Sequence, residues 1–221
     1  MFSSKPRVDL SAVVDFDTDG ALQETAEKAQ HHSRRNFLRN SALVTGGALA
    51  AGAGFPAGAF AQSKGDVAIL NFALTLEYLE SAFYYRARRQ AGLDGALMRF
   101  AQTVGEHESA HVTALRKALG NAAVKKPTFD FGAAVESPNA FAATAIVLED
   151  TGVMAYQGQA PFIKSQDVFK AALSIHPVEA RHAAWIRDIV GGYDPAPAAF
   201  NPALTMAATL SAVGGTGFIK S

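Results

Sequence analysis

Two Glu-x-x-His tetrads, Glu108 to His111 and Glu179 to His182, lie 71 residues apart in this 221-residue chain. Each follows a lone Glu about 30 residues upstream on an otherwise apolar stripe, Glu77 before the first and Glu149 before the second. Positions three apart share one face of a helix, so each tetrad points a carboxylate and an imidazole the same way. Four carboxylates and two imidazoles make a ligand set for two metal ions. Four carboxylates buried among Leu, Ile, Val and Ala cost several kcal/mol for each unpaired ion. Two divalent ions would supply four positive charges against the four negative ones. Hard oxygen ligands with one imidazole per ion suit iron or manganese and leave positions open for water, oxygen or peroxide.

The elements that must position these residues are helices. Apolar periodicity predicts four, at about Asp66–Arg89, Gly95–Leu119, Pro138–Gln159 and Asp167–Val190, each long enough to span a bundle. Ser137-Pro138 supplies an N-cap and first-turn proline, and Gly120 and Gly191 follow the ends of the second and fourth helices. Residues 90–94 and 160–166 allow antiparallel hairpins, while the 18 residues 120–137 can cross the length of a bundle. The expected fold is an all-α four-helix bundle with a long crossover between helices 2 and 3. Stepping alternately by four and three residues, the first helix gives Leu70, Leu74, Glu77, Ser81, Tyr84 and the third Ala142, Ile146, Glu149, Val153, Tyr156. The second and fourth carry their tetrads at matching places on their stripes, and Arg116 and Arg187 each lie five residues beyond a tetrad His. The lone Glu residues are 72 positions apart and the tetrads 71, which reads as an internal duplication of a helical hairpin.

The rest of the chain narrows the function. Lys plus Arg equals Asp plus Glu at 20 each, so the balance favours neither nucleic acid nor an anionic membrane as partner. There is no cysteine, hence no thiolate metal site, disulfide or thiol nucleophile. Residues 1–61 read as an export signal. Ser33-Arg34-Arg35-Asn36-Phe37-Leu38 is a twin-arginine pattern, an Ala- and Gly-rich apolar stretch follows, and Ala59-Phe60-Ala61 offers a small-x-small cleavage site. A membrane anchor is the rival reading of that stretch, disfavoured by its glycines and Pro56. The expectation is export by the twin-arginine translocase to the periplasm or beyond, with no stable membrane span in the mature form. Residues 62–192 would form the bundle and 193–221 an extension packed on it.

These residues resemble the ferritin-like di-iron carboxylate superfamily, whose pattern is a Glu on two helices and Glu-x-x-His on the other two. The resemblance covers about residues 66–190. More narrowly, the chain is similar to exported ferritin-like proteins with a twin-arginine signal, through Leu70-Asn71-Phe72-Ala73-Leu74-Thr75-Leu76-Glu77 and Val178-Glu179-Ala180-Arg181-His182-Ala183-Ala184. It implies two divalent ions, iron first and manganese second. Glu77 and Glu149 would be terminal ligands, Glu108 and Glu179 would bridge, and His111 and His182 would bind one ion each. Tyr84 and Tyr156 would donate hydrogen bonds to ligands, act in redox chemistry, or simply pack. Pro177, two residues before Glu179, is expected to kink the fourth helix.

Two rivals remain at this level. His107-Glu108-Ser109-Ala110-His111 is also a literal HExxH, the zinc-protease pattern, with His107 and His111 as ligands and Glu108 as base. It leaves Glu77 and the second tetrad without a role, and the residue matching His107 in the other half is Val178. Alternatively, the six residues form a polar network without metal. Glu80 and Glu106 are expected in solvent, His107 on the surface, and His176 near the site or its rim. Phe129, Phe131, residues 193–202 and Gly214 to Gly217 would line an entrance or wrap the bundle. No pocket for an organic substrate is legible. The outcomes left open are redox chemistry on Fe(II), oxygen or peroxide, or metal holding without turnover in a stress or structural protein, as a monomer or a homo-oligomer.

Overall fold

The structure is a computed structural model in which residues 63–220 are described. The twin-arginine pattern and the cleavage site lie outside the described residues. Four long helices form the bundle: α1 Lys64–Gln90, α2 Gly95–Leu119, α3 Pro138–Gln159 and α4 Gln166–Val190. Three of the four start at a serine cap. Ser63 caps α1 in a reciprocal box with Asp66, which moves its start ahead of the expected Asp66. Ser137 caps α3 ahead of Pro138, and Ser165 caps α4. Fully buried Asp66 also accepts from the backbone of Lys164 and Ser165, at 2.8 and 3.2 Å, and so ties the start of α1 to that of α4.

α1 packs along α2 and α3 along α4, and the two hairpins meet through α1 on α3 and α2 on α4. The crossover between α2 and α3 carries two 3-10 turns, Gly120–Ala122 and Gly132–Val135, and a short strand β1, Thr128–Phe129. Asn71 pins it to α1, donating to Ala122 O at 2.9 Å and accepting from Val124 N at 2.8 Å. The C-terminal segment holds a fifth helix α5, Met206–Gly215, and a strand β2, Ile219–Lys220, antiparallel to β1. This segment wraps the bundle: Leu204 N donates to Met154 O at 3.0 Å, and Phe218 meets Phe131 edge to face.

The apolar core falls into two clusters, one toward each end of the helices. Phe83, Phe100, Phe141 and Ile186 anchor one; Leu70, Leu74, Leu115 and Ile175 anchor the other. Polar side chains lie between them. Pro177 lies inside α4, which is continuous from Gln166 to Val190. Pro177 is exposed, and two positions along a helix is more than half a turn, so its ring and missing N–H fall away from the face that carries Glu179.

Candidate metal centre

Glu77 and Tyr84 come from α1, Glu108 and His111 from α2, Glu149 and Tyr156 from α3, and Glu179 and His182 from α4. All four carboxylates are fully buried. Two overlapping groups of ligand atoms form, each within 4.8 Å: Glu77, Glu108, His111 and Glu179, and Glu108, Glu149, Glu179 and His182. Every one of the six predicted ligand positions is in a group, and Glu108 and Glu179 are in both.

The oxygen assignments are more telling. His111 Nδ1 lies 3.1 Å from Glu77 Oε2, 2.9 Å from Glu108 Oε2 and 3.2 Å from Glu179 Oε1. His182 Nδ1 lies 3.1 Å from Glu108 Oε1, 3.2 Å from Glu149 Oε2 and 3.9 Å from Glu179 Oε2. Glu108 and Glu179 therefore turn one oxygen toward each imidazole, whereas Glu77 faces His111 and Glu149 faces His182. The tyrosines cross between halves. Tyr156 OH donates to Glu77 Oε1 at 2.6 Å, and Tyr84 OH donates to Glu149 Oε1. Each lone Glu is thus held by the tyrosine of the opposite hairpin, as a pseudo-two-fold arrangement requires.

The electrostatics are those of a site built around added positive charge. Burial first, and the neighbouring carboxylates second, push Glu108 and Glu179 well above the usual carboxyl range. Burial works to raise Glu77 too, but the charge and hydrogen bond of His111, with the hydrogen bonds of Glu108 and Tyr156, leave it lowered. Burial would lower His111, yet Glu77, Glu108 and Glu179 outweigh it and hold the ring in its charged form. Burial and then the adjacent carboxylates, Glu149 for Tyr84 and Glu77 for Tyr156, keep both phenols protonated. Beyond the charged His111 ring, neither arginine near the tetrads neutralises the cluster. Arg187 is engaged by Asp150 and Arg116 is exposed. Buried Glu108 Oε1 and both oxygens of Glu179 have no hydrogen-bond partner. These partnerless oxygens, converging with two ring nitrogens, fit two divalent ions, which would displace the protons that burial otherwise holds on Glu108 and Glu179.

Two expectations are corrected. Glu80 is buried at 3% exposure rather than solvated. It follows Glu77 by one turn and shares its face, and burial with the charges of Glu179, Glu149, Glu108 and Glu77 pushes it well above the usual range. Gly152, its counterpart 72 residues on, makes the room: a Cβ there would lie 3.2 Å from Glu179 Oε2 and 3.5 Å from Glu80 Oε1. The signal was present as Glu77-x-x-Glu80, the same spacing as the tetrads. The second correction is His107, which is exposed but not idle: its Nδ1 lies 2.8 Å from His182 Nε2. It belongs to neither ligand group, so the HExxH pair does not converge on one ion. Glu106 is exposed as expected. His176 is half-buried, outside both groups, with a buried Nε2 that has no hydrogen-bond partner.

Near the centre, Tyr156, Leu76, Ala73 and Ile175, with Leu115 and Val168, help to line an apolar cavity of about 20 Å³. No helix among the described residues is long and apolar enough to cross a membrane. No curated protein matches the chain. A family model described as a ferritin-like domain matches residues 65–192.

Proposed function

We propose that this chain, which belongs to the ferritin-like domain family, is an exported di-metal carboxylate protein with redox-type chemistry on Fe(II), oxygen or peroxide. The observation that carries the reading is the split orientation of Glu108 and Glu179, each with one oxygen toward His111 and one toward His182. Glu77 with His111 would complete one metal position and Glu149 with His182 the other. Iron is the first candidate and manganese the second, on the hardness of an oxygen-rich donor set with one imidazole each.

When bound, the two ions would supply electron transfer at a site closed by the bundle core. The chain's own residues supply the rest. Four buried carboxylates balance the charge of two divalent ions. Tyr84 and Tyr156 orient Glu149 and Glu77 and keep a proton on each phenol oxygen. The two apolar clusters flank the carboxyl groups, and the cavity beside Tyr156 has room for a molecule of the size of water.

Export by the twin-arginine translocase, which carries folded and cofactor-loaded proteins, suits a site that must be filled before secretion. Lysine at both Arg34 and Arg35 is expected to leave the protein in the cytoplasm.

The reaction is tested by loading metal-free protein with Fe(II) without oxygen, then adding oxygen or peroxide and following oxidation of iron and loss of oxidant. The wild type is expected to consume oxidant faster than free Fe(II), and Glu108→Ala to lose that excess. Iron that is bound but oxidised no faster than in buffer would assign the chain to metal holding instead.

A further inference from the structure

The duplicated halves are not equivalent around their histidines. His182 Nδ1 faces Glu108 and Glu149, while its other nitrogen, Nε2, lies 2.8 Å from His107 Nδ1. The two rings are 5.1 Å apart, inclined by 21°. In the first half, His111 also directs Nδ1 at the carboxylates, but the position matching His107 is Val178, which carries no hydrogen-bonding side chain. Among the described residues no hydrogen bond reaches His111 Nε2.

We propose that His107 is a positioning residue for the metal centre, accepting the Nε2 proton of His182 and thereby distinguishing the Glu149–His182 position from the Glu77–His111 position. The inference rests on the di-metal reading of the site. A ring nitrogen that ligates an ion carries no proton, so the neutral ring must hold its proton on the other nitrogen. With Nδ1 of His182 turned to the carboxylates, that proton sits on Nε2 and needs an acceptor. His107 Nδ1 is at the right distance, which places the proton of His107 on its own Nε2. The bond fixes the His182 ring in the tautomer that ligation requires and strengthens Nδ1 as a donor. His111 gains no such help. The Glu149–His182 position is therefore the one whose imidazole depends on a residue outside the ligand set, and His107 has this role because it sits one residue before Glu108 on α2, the helix packed against α4.

The test is anaerobic Fe(II) titration of the metal-free full-length protein by calorimetry, for wild type, His107→Ala and His107→Gln. Wild type is expected to bind in two steps. His107→Ala should weaken one step by about 10- to 100-fold and leave the other within twofold. His107→Gln should recover most of the loss, because its amide oxygen can accept the same proton. A second readout is the slowly exchanging His182 Nε2 proton in NMR spectra of zinc-loaded protein, expected in wild type and His107→Gln and absent in His107→Ala. Equal weakening of both steps, no weakening, or a glutamine variant as weak as alanine would overturn the role of His107. If the wild type binds no Fe(II), the di-metal reading fails first and the role of His107 falls with it; two wild-type steps with an unchanged alanine variant sink the His107 inference alone.

Discussion

Five buried carboxyl groups and one charged imidazole share the middle of this bundle, and their protons set how the metal-free protein responds to pH. Glu108, Glu179 and Glu80 are raised by burial and by one another, and His111 is raised by its carboxylate neighbours. Each binds its proton more tightly folded than unfolded. Their stabilising contribution is complete below the ordinary values of 4.5 for the carboxyls and 6.5 for His111, and it is lost as the pH climbs through the raised values. Glu77 is lowered and acts the other way: its contribution is present above 4.5 and is lost as the pH falls through its folded value. Four groups against one decide the sign between neutral and mildly acid pH. Thermal melts of metal-free protein should give a lower midpoint near pH 8 than near pH 5.5, and the metal-loaded protein should gain more stability over the metal-free form as the pH rises, because ions compete with protons for the same atoms. Glu80→Gln mimics the protonated acid and should stabilise the metal-free protein near pH 8, because it removes the cost of keeping a proton on a buried carboxyl at a pH where the unfolded chain has lost it. Equal or reduced stability in chemical denaturation would mean that Glu80 is charged there. Tyr156→Phe removes the 2.6 Å bond to Glu77 and should cost about 1.5–3 kcal/mol, measured the same way.

The four helices were legible from apolar stripes of helical period, reinforced by Ser137-Pro138 at the start of α3 and by Gly120 and Gly191 after α2 and α4. The tetrads were legible because their positions on the stripe repeat between halves. What the stripe missed has physical causes. Glu80 lies one turn from Glu77, and its carboxyl sits beside Gly152 of the other hairpin, a relation that no single helix displays. His107 is exposed and off the stripe, and its partner is 75 residues away. β1 and β2 are two residues each, too short for alternation to register, and α5 is a 10-residue helix inside a segment read as an extension. Close approaches between elements carry their own prediction. A Cβ on Gly158 would lie 1.8 Å from Leu204 O, where the C-terminal segment crosses α3. Gly158→Ala should lift that segment and speed proteolysis within residues 193–205 while α1 to α4 keep their helical circular dichroism. Unchanged proteolysis would show that the segment is held without this contact.

At the scale of the molecule, the bundle is a means of holding anions where they cannot be solvated. The two apolar clusters fix the helices at both ends, and without added counter-charge burial between them keeps protons on Glu80, Glu108 and Glu179. The chain's equal numbers of acidic and basic residues leave no general excess of charge to help. Small-molecule redox chemistry and plain metal holding share this architecture, and so does either state of assembly, for which the mass of the native protein in solution distinguishes a cage from a monomer or dimer. The claim beneath all of these is that one site binds two ions through both tetrads. Elemental analysis of native protein beside Glu108→Ala and Glu179→Ala tests it most directly. Two iron or manganese ions per chain, lost in both variants, is the predicted result; a single zinc ion that survives Glu179→Ala would contradict it.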